Sequence, residues 1–337
     1  MKKLSDQNIG YVFVYTAQHR ETINELIELF GINNPDKILY SRTEAKNIFS
    51  FLGWAGSMAL YLFNPRSVFP KKGVVIAHGD TVTTLWSVVC AKLAGCKVAH
   101  LESGLRSFNI FNPFPEELIR LITFKFTDMF FCPNQWAIDN LASYRGRKID
   151  THGNTLIDSV RLALGNKAEL KLPKGKYVVV SIHRAENIYT KRFKELIIPH
   201  ILNVAKNLMV IFVLHPATRE VINKDGSIQK LLEKDSIKLK ARYNYFDFVK
   251  LLAACEFVIT DGGSNQEELS YLGKPTLLMR KATERLEGLG QNVVISKYDN
   301  NIIEDFISNY KKYRTKPVDV VGSPVDIILK ALADERL

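Results

Sequence analysis

Three carboxylates in the first half of the sequence each stand where a short apolar run ends or a helical pattern starts. Asp80 lies in His78-Gly79-Asp80-Thr81, just after Gly73-Val74-Val75-Ile76-Ala77. Glu102 opens Glu102-Ser103-Gly104-Leu105-Arg106, after the run at 97–101. Glu116 stands in Asn112-Pro113-Phe114-Pro115-Glu116-Glu117. Carboxylates gathered at one site can take and return protons. Each also has an ordinary reading. Asp and Thr are good helix N-caps, and acids in a first helical turn complement the helix dipole. The second half adds His183, in Ser181-Ile182-His183-Arg184-Ala185-Glu186-Asn187, and His215 before Pro216. Histidine titrates near neutral pH, which suits it to proton transfer. Further on comes Asp261-Gly262-Gly263-Ser264-Asn265-Gln266-Glu267-Glu268. A glycine turn opening a helix presents bare N–H groups and a positive helix end to a phosphate. Glu268 stands one turn into that helix, either accepting from ribose hydroxyls or lying in solvent as a plain helix acid.

Strands and helices must carry these residues. Apolar runs at 11–15, 73–77, 97–101 and 129–132 read as strands, separated by helical patterns at 21–30, 83–93 and 116–126. The second half repeats the alternation, with strands at 177–182, 210–214, 257–260 and 276–279 and helices at 192–206, 245–254 and 266–272. Apolar strands alternating with helices predict parallel sheets covered on both faces. Gly165-Asn166-Lys167 and Pro173-Lys174-Gly175-Lys176 mark a boundary. The expected fold is α/β, with two doubly wound Rossmann-like domains, 1–165 and 166–337, facing a central cleft. The last helix is expected to pack back on the first domain. Ligands of such folds bind beyond the C-terminal ends of the strands.

Composition narrows the partners. The chain has 337 residues and a formal charge of +11, from 46 basic and 35 acidic side chains. That balance suits an anionic partner. The basic residues are scattered without a basic-aromatic cluster, so nucleic acid is not expected. Cys90, Cys96, Cys132 and Cys255 lie in apolar runs without zinc spacing, which predicts buried free thiols in a reducing compartment. The N-terminus has no apolar signal region. The apolar stretch 48–63 contains Gly53 and Gly56 and is too short to span a membrane. It reads as a core helix, with a membrane-surface helix or a subunit interface as alternatives.

Taken in order, HGDT, HLESGLRSF, PFPEELIR, GNTLID at 153–158, HRAEN, the Gly-Gly helix opening through Gly273-Lys274-Pro275, and Ala282-Thr283-Glu284-Arg285 resemble the UDP-N-acetylglucosamine 2-epimerase family. The resemblance runs from about residue 11 to about residue 299. It implies a GT-B-like fold and interconversion of UDP-GlcNAc and UDP-ManNAc through 2-acetamidoglucal, for surface polysaccharide synthesis. It implies a cytoplasmic homodimer that needs no metal and no nicotinamide cofactor. By the same matching, Asp80, Glu102, Glu116 and His183 are catalytic. Gly262, Gly263 and Ser264 hold the diphosphate, Glu268 the ribose, Phe248 lines the uracil pocket, and Arg285 is a further substrate contact. Gln18, His19, Arg20 and His215 match the family's activation segments, although no Arg-Gln pair stands in 41–47.

Two further departures carry expectations. The family's first strand and Gly-Thr-Arg-Pro-Glu turn have no counterpart, since residues 1–8 lead directly into what resembles its second strand. That predicts a truncated chain or a misplaced start, with a natural variant carrying a substitute as the alternative; a chain that begins at Met1 is expected to have weak or absent activity. The phosphate turn reads Asp-Gly-Gly-Ser where the family reads Asp-Ser-Gly-Gly, which moves the hydroxyl by two positions. The competing readings are a hydrolysing epimerase releasing ManNAc and UDP, a nucleotide-sugar-binding protein without turnover, and a glycosyltransferase of the same fold.

Overall fold

The apolar runs at 97–101 and 129–132 become inner strands of a parallel sheet, whereas the run at 73–77, expected to be covered on both faces, forms an edge strand among the described residues and leaves Ile76 exposed. The computed structural model describes residues 1–17, 20–40, 48–70, 72–111, 114–168, 170–318 and 322–335. These fall into two compact units. One comprises Met1–Thr155 and Gly322–Leu337, the other Leu156–Val321. The units part ten residues before the glycine at 165, so the helix Leu156–Gly165 groups with the second unit.

In the first unit, β1 (Val14–Tyr15) and β2 (Lys37–Ile38) form a two-stranded parallel sheet. β3 (Val74–His78), β4 (Lys97–Leu101), β5 (Met129–Cys132) and β6 (Arg147–Asp150) form a four-stranded parallel sheet in chain order. Helix Val82–Ala94 links β3 to β4 and ends on Gly95, whose left-handed φ of 91° closes it. The C-terminal helix Pro324–Asp334 packs Ile328 and Ala331 against Ala99, Met129 and Phe131.

The 48–63 stretch forms helix Ile48–Tyr61. Trp54 and Met58, one turn apart, are buried in the core. The Trp54 indole N–H donates to the Thr16 carbonyl at 2.8 Å. Leu52, Leu60 and Phe63 are exposed, so only one side of the stretch is core. Among the described residues no helix is long and apolar enough to cross a membrane. All four cysteines are buried thiols outside any disulfide.

The second unit holds β7 (Tyr177–Ser181), β8 (Met209–Leu214), β9 (Ile237–Ala241), β10 (Val258–Thr260), β11 (Thr276–Leu278) and β12 (Val293–Ile295). Their order is β12-β11-β10-β7-β8-β9, all parallel. The order reverses between β7 and β10, which is where doubly wound sheets bind ligands. Val178, Val180, Phe212, Ile259 and Leu277 fill the core on one face. The single helix expected at 192–206 is instead a π-turn, Phe193–Ile197, running into helix Ile198–Val204. Pro199 lacks the N–H that would close a regular turn there.

Candidate functional site

β3 delivers His78 and then a turn at Gly79, whose φ is 70°. The cap of the next helix is Thr81, which accepts from the Thr84 N–H at 3.2 Å. Asp80 is therefore not the cap. Its Oδ2 accepts two N–H groups of Arg120, Nε at 2.9 Å and Nη2. Arg120 lies on helix Glu116–Lys125, one turn beyond Glu116 and on the same face. The helix that starts with Glu116 thus also anchors Asp80.

Glu117, not singled out in the sequence, is the fully buried partner in this network. It accepts from Arg106 Nε, from the Ser107 N–H at 2.9 Å and from Arg120 Nη1 at 3.4 Å. Burial pushes its carboxyl upward, but the Ser107 amide, Arg106 and Arg120 outweigh that and hold it below its ordinary range. Glu116 differs. Its Oε2 is buried and accepts no hydrogen bond among the described residues.

Glu102 directly follows β4 with a φ of 58°, a left-handed conformation uncommon outside glycine. Its Oε2 accepts from Asn154 Nδ2 at 2.7 Å and lies 3.3 Å from His78 Nε2. The two turns are tied by buried His100. One ring nitrogen, Nε2, meets the Gly79 carbonyl at 2.7 Å, and the other, Nδ1, meets Ser103 Oγ at 2.8 Å. A carbonyl only accepts, so Nε2 carries the proton. Burial pulls this histidine down to about 4, and it stays neutral.

In the second unit the reversal point is built around Asp261. Its carboxylate has no exposed surface. It accepts the main-chain N–H groups of His183 at 3.0 Å and Arg184 at 2.9 Å, and Asn187 Nδ2 at 2.9 Å. The loop after β7 is thereby fixed to the end of β10. The His183 ring has Nδ1 3.3 Å from Asp261 Oδ1 and stacks on the His215 ring, with centroids 4.2 Å apart. Burial lowers the His183 pKa, with Arg184 and Arg242 adding to the fall and Asp261 opposing it. Burial and the neighbouring His183 and Arg242 bring His215 down to about 4.

Gly262 caps helix Gly263–Tyr271. A Cβ on Gly262 would stand 2.7 Å from Asn265 Oδ1 and 3.2 Å from His183 Cε1, so a side chain there has no room. Ser264 is exposed on the first turn. Glu268 is buried, and burial raises its carboxyl to about 7 against the Tyr245 hydroxyl and Arg285, which pull it down. Tyr245 opens helix Tyr245–Ala254, and partly buried Phe248 lies on the same helix. Arg285 pairs with buried Glu267.

Within the first unit, Asp80, Glu102 and Glu116 belong to turns joined through Arg120, His78 and His100. Within the second, His183, His215, Gly262 and Gly263 meet around Asp261, and Glu268 and Arg285 lie one helical turn on. Gln18 and His19 lie outside the described residues. Arg20 begins helix Arg20–Phe30. Arg120, Glu117, His100 and Asp261 escaped the sequence reading. A hint lay in Arg120, four residues after Glu116 in the same helical pattern.

Two α/β units built on parallel sheets have the Rossmann-like architecture of GT-B-like proteins, and comparison with known proteins gives the family. The profile of the UDP-N-acetylglucosamine 2-epimerase family matches residues 2–320, so this chain belongs to that family of isomerases. UDP-N-acetylglucosamine 2-epimerase of Bacillus subtilis is 33% identical over 292 residues, covering 83% of this chain and 73% of the relative. Its Campylobacter jejuni counterpart is 30% identical over 334 residues, covering 90% and 83%. The crystal structure of UDP-GlcNAc 2-epimerase from Neisseria meningitidis bound to UDP-GlcNAc superposes with a TM-score of 0.83 at 27% identity, covering 99% of this chain and 94% of that one.

Proposed function

We propose that this chain is the non-hydrolysing enzyme, interconverting UDP-GlcNAc and UDP-ManNAc. The observation that carries the reading is the glycine turn at the reversal of the second sheet. There, Gly262 and the start of helix Gly263–Tyr271 stand beside His183 and Arg285. The Gly262 N–H donates to Thr260 Oγ1 at 3.1 Å, and it is the first-turn N–H groups of the helix, which have no acceptor within the helix, together with its positive end that suit a diphosphate. Glu268 then receives the ribose hydroxyls, and Phe248 lies along the uracil.

The chemistry is an elimination followed by an addition. A base takes the C2 proton, the electron pair forms a C1–C2 double bond, and the C1–O bond breaks to release UDP. The resulting 2-acetamidoglucal is protonated at C2 on its other face as UDP adds back to C1. The C2 proton adjoins no carbonyl, so base and leaving-group stabilisation must act together. Asp80, Glu102 and Glu116 are the acid-base set. Asp80 is oriented by Arg120, and Glu102 by Asn154. His183 acts on the leaving diphosphate as a neutral ring donating a hydrogen bond, since burial disfavours its charged form. His215 acts through its stack on His183. The same reading makes the protein a cytoplasmic homodimer whose product enters surface polysaccharide.

Proton NMR of UDP-GlcNAc with the protein in D₂O tests the reading. The expected result is UDP-ManNAc carrying deuterium at C2. Free ManNAc with UDP would reassign the chain to the hydrolysing reaction. An unchanged spectrum despite UDP binding would make it a nucleotide-sugar-binding protein.

A further inference from the structure

We infer that Glu267 and Gln266 are positioning residues, which hold Arg285 across the start of helix Gly263–Tyr271 and so set the strength of diphosphate binding. The inference rests on the diphosphate reading of that helix start. Glu267 has no exposed surface. Its Oε1 accepts the Tyr271 hydroxyl at 2.8 Å, and its Oε2 accepts Arg285 Nη1. A guanidinium is a rigid planar fork, so fixing one edge fixes the direction of the rest.

Gln266 holds the main chain of the same loop. Its Nε2 donates to the carbonyls of Arg285 at 3.1 Å and Glu287 at 3.0 Å. Its Oε1 accepts the Thr283 hydroxyl at 2.8 Å, and Thr283 Oγ1 in turn accepts the Arg285 N–H at 3.2 Å. Backbone and side chain of Arg285 are thus both tied to adjacent residues of one helix.

Gly263 completes the arrangement. A Cβ there would stand 3.1 Å from Arg285 Nε and 3.5 Å from its Cδ, so the arginine stem lies over the bare glycine. The positive helix end and the guanidinium are side by side, and an anion at the turn meets both. Glu268 also lies within electrostatic reach of Arg285. With Glu267 as the partner of Arg285, Glu268 is left for the ribose.

The test is calorimetric titration of UDP into the full chain and its Glu267→Gln, Arg285→Ala and Glu267→Gln/Arg285→Ala variants, with thermal melts to establish folding. Loss of one charge-assisted pairing predicts about tenfold weaker UDP binding for Glu267→Gln. Arg285→Ala should bind at least as weakly, and the double variant no more weakly than Arg285→Ala. Wild-type affinity in folded Glu267→Gln would overturn the inference, as would a further loss in the double variant. Gln266→Leu serves if Glu267→Gln does not fold. It should weaken UDP binding in the wild-type background and not in the Arg285→Ala background, and any other pattern overturns the inference. No UDP binding by the wild-type chain would remove the diphosphate reading itself and this inference with it.

Discussion

Asp80 in the first unit and Asp261 in the second both follow a parallel strand, half-exposed in the first case and buried in the second, and they are held in opposite ways. Asp80 stays partly exposed and is held from one side by the Arg120 side chain. Asp261 is fully buried and holds main-chain N–H groups of the loop after the neighbouring strand β7. A carboxylate steered by a side chain keeps surface for a substrate. A carboxylate engaged on main-chain donors is scaffold. The same residue type at a strand end is thus a clamp in the second unit, while in the first it keeps the exposed surface that the reagent role proposed above requires.

That contrast can be broken most sharply at Asp80. Asp80→Asn should lower kcat by about 10³-fold, the scale of general acid-base catalysis, with UDP affinity nearly unchanged. A near-normal turnover rate in the NMR assay would remove Asp80 from the acid-base set. Asp261→Ala should act on folding instead. It orphans two part-buried main-chain donors and one N–H of Asn187 Nδ2, which keeps its bond to the Met279 carbonyl, at about 1–3 kcal/mol each. Urea unfolding should show a loss of roughly 4 kcal/mol. A loss under about 1 kcal/mol, with activity gone, would recast Asp261 as a reagent too.

Glu117 sharpens the comparison within the first unit. Removing its charge between Arg106 and Arg120 should cost roughly 3 kcal/mol at pH 7. Its folded pKa lies below the unfolded one. Its stabilisation is therefore complete above the unfolded value of about 4.3 and is lost as pH falls through the folded value. The stability gap between wild type and Glu117→Gln should accordingly narrow under acid, and a gap that stays constant down to pH 2 would contradict the assignment. The smallest effect belongs to Glu268, raised to about 7. If its carboxylate accepts from the ribose, UDP affinity rises as pH climbs through that value. The ionised fraction grows about tenfold between pH 6 and 8, so the dissociation constant should fall by about that factor. Glu268→Gln should flatten the profile, and an equally steep profile in that variant would place the titration elsewhere.

Much of this was legible in the sequence because covered strands announce themselves. The runs at 97–101 and 129–132 match β4 and β5, and β7, β8, β10 and β11 emerge within a residue of expectation. The strands that escaped are β2, β6, β9 and β12. The last three are edge strands, and β6 reads Arg-Lys-Ile-Asp while β9 reads Ile-Lys-Leu-Lys-Ala. An edge needs little apolar cover and tolerates charge. The site followed the same rule. Asp80, Glu102 and His183 stand at strand ends and could be read there. Whether an acid is steered or buried depends on partners far away in sequence, such as Arg120 forty residues after Asp80. No local pattern distinguished Glu116 from Glu117.

The left-handed backbone at Glu102 carries a consequence for anyone improving this protein. A non-glycine residue there costs roughly 1–2 kcal/mol of conformational strain, which glycine would relieve. Selection for heat resistance alone would therefore favour Glu102→Gly and discard a carboxylate that we propose for the acid-base set. On that proposal, position 102 is where robustness and turnover pull in opposite directions. A library screened for both properties should keep glutamate there, while one screened only for survival drifts to glycine.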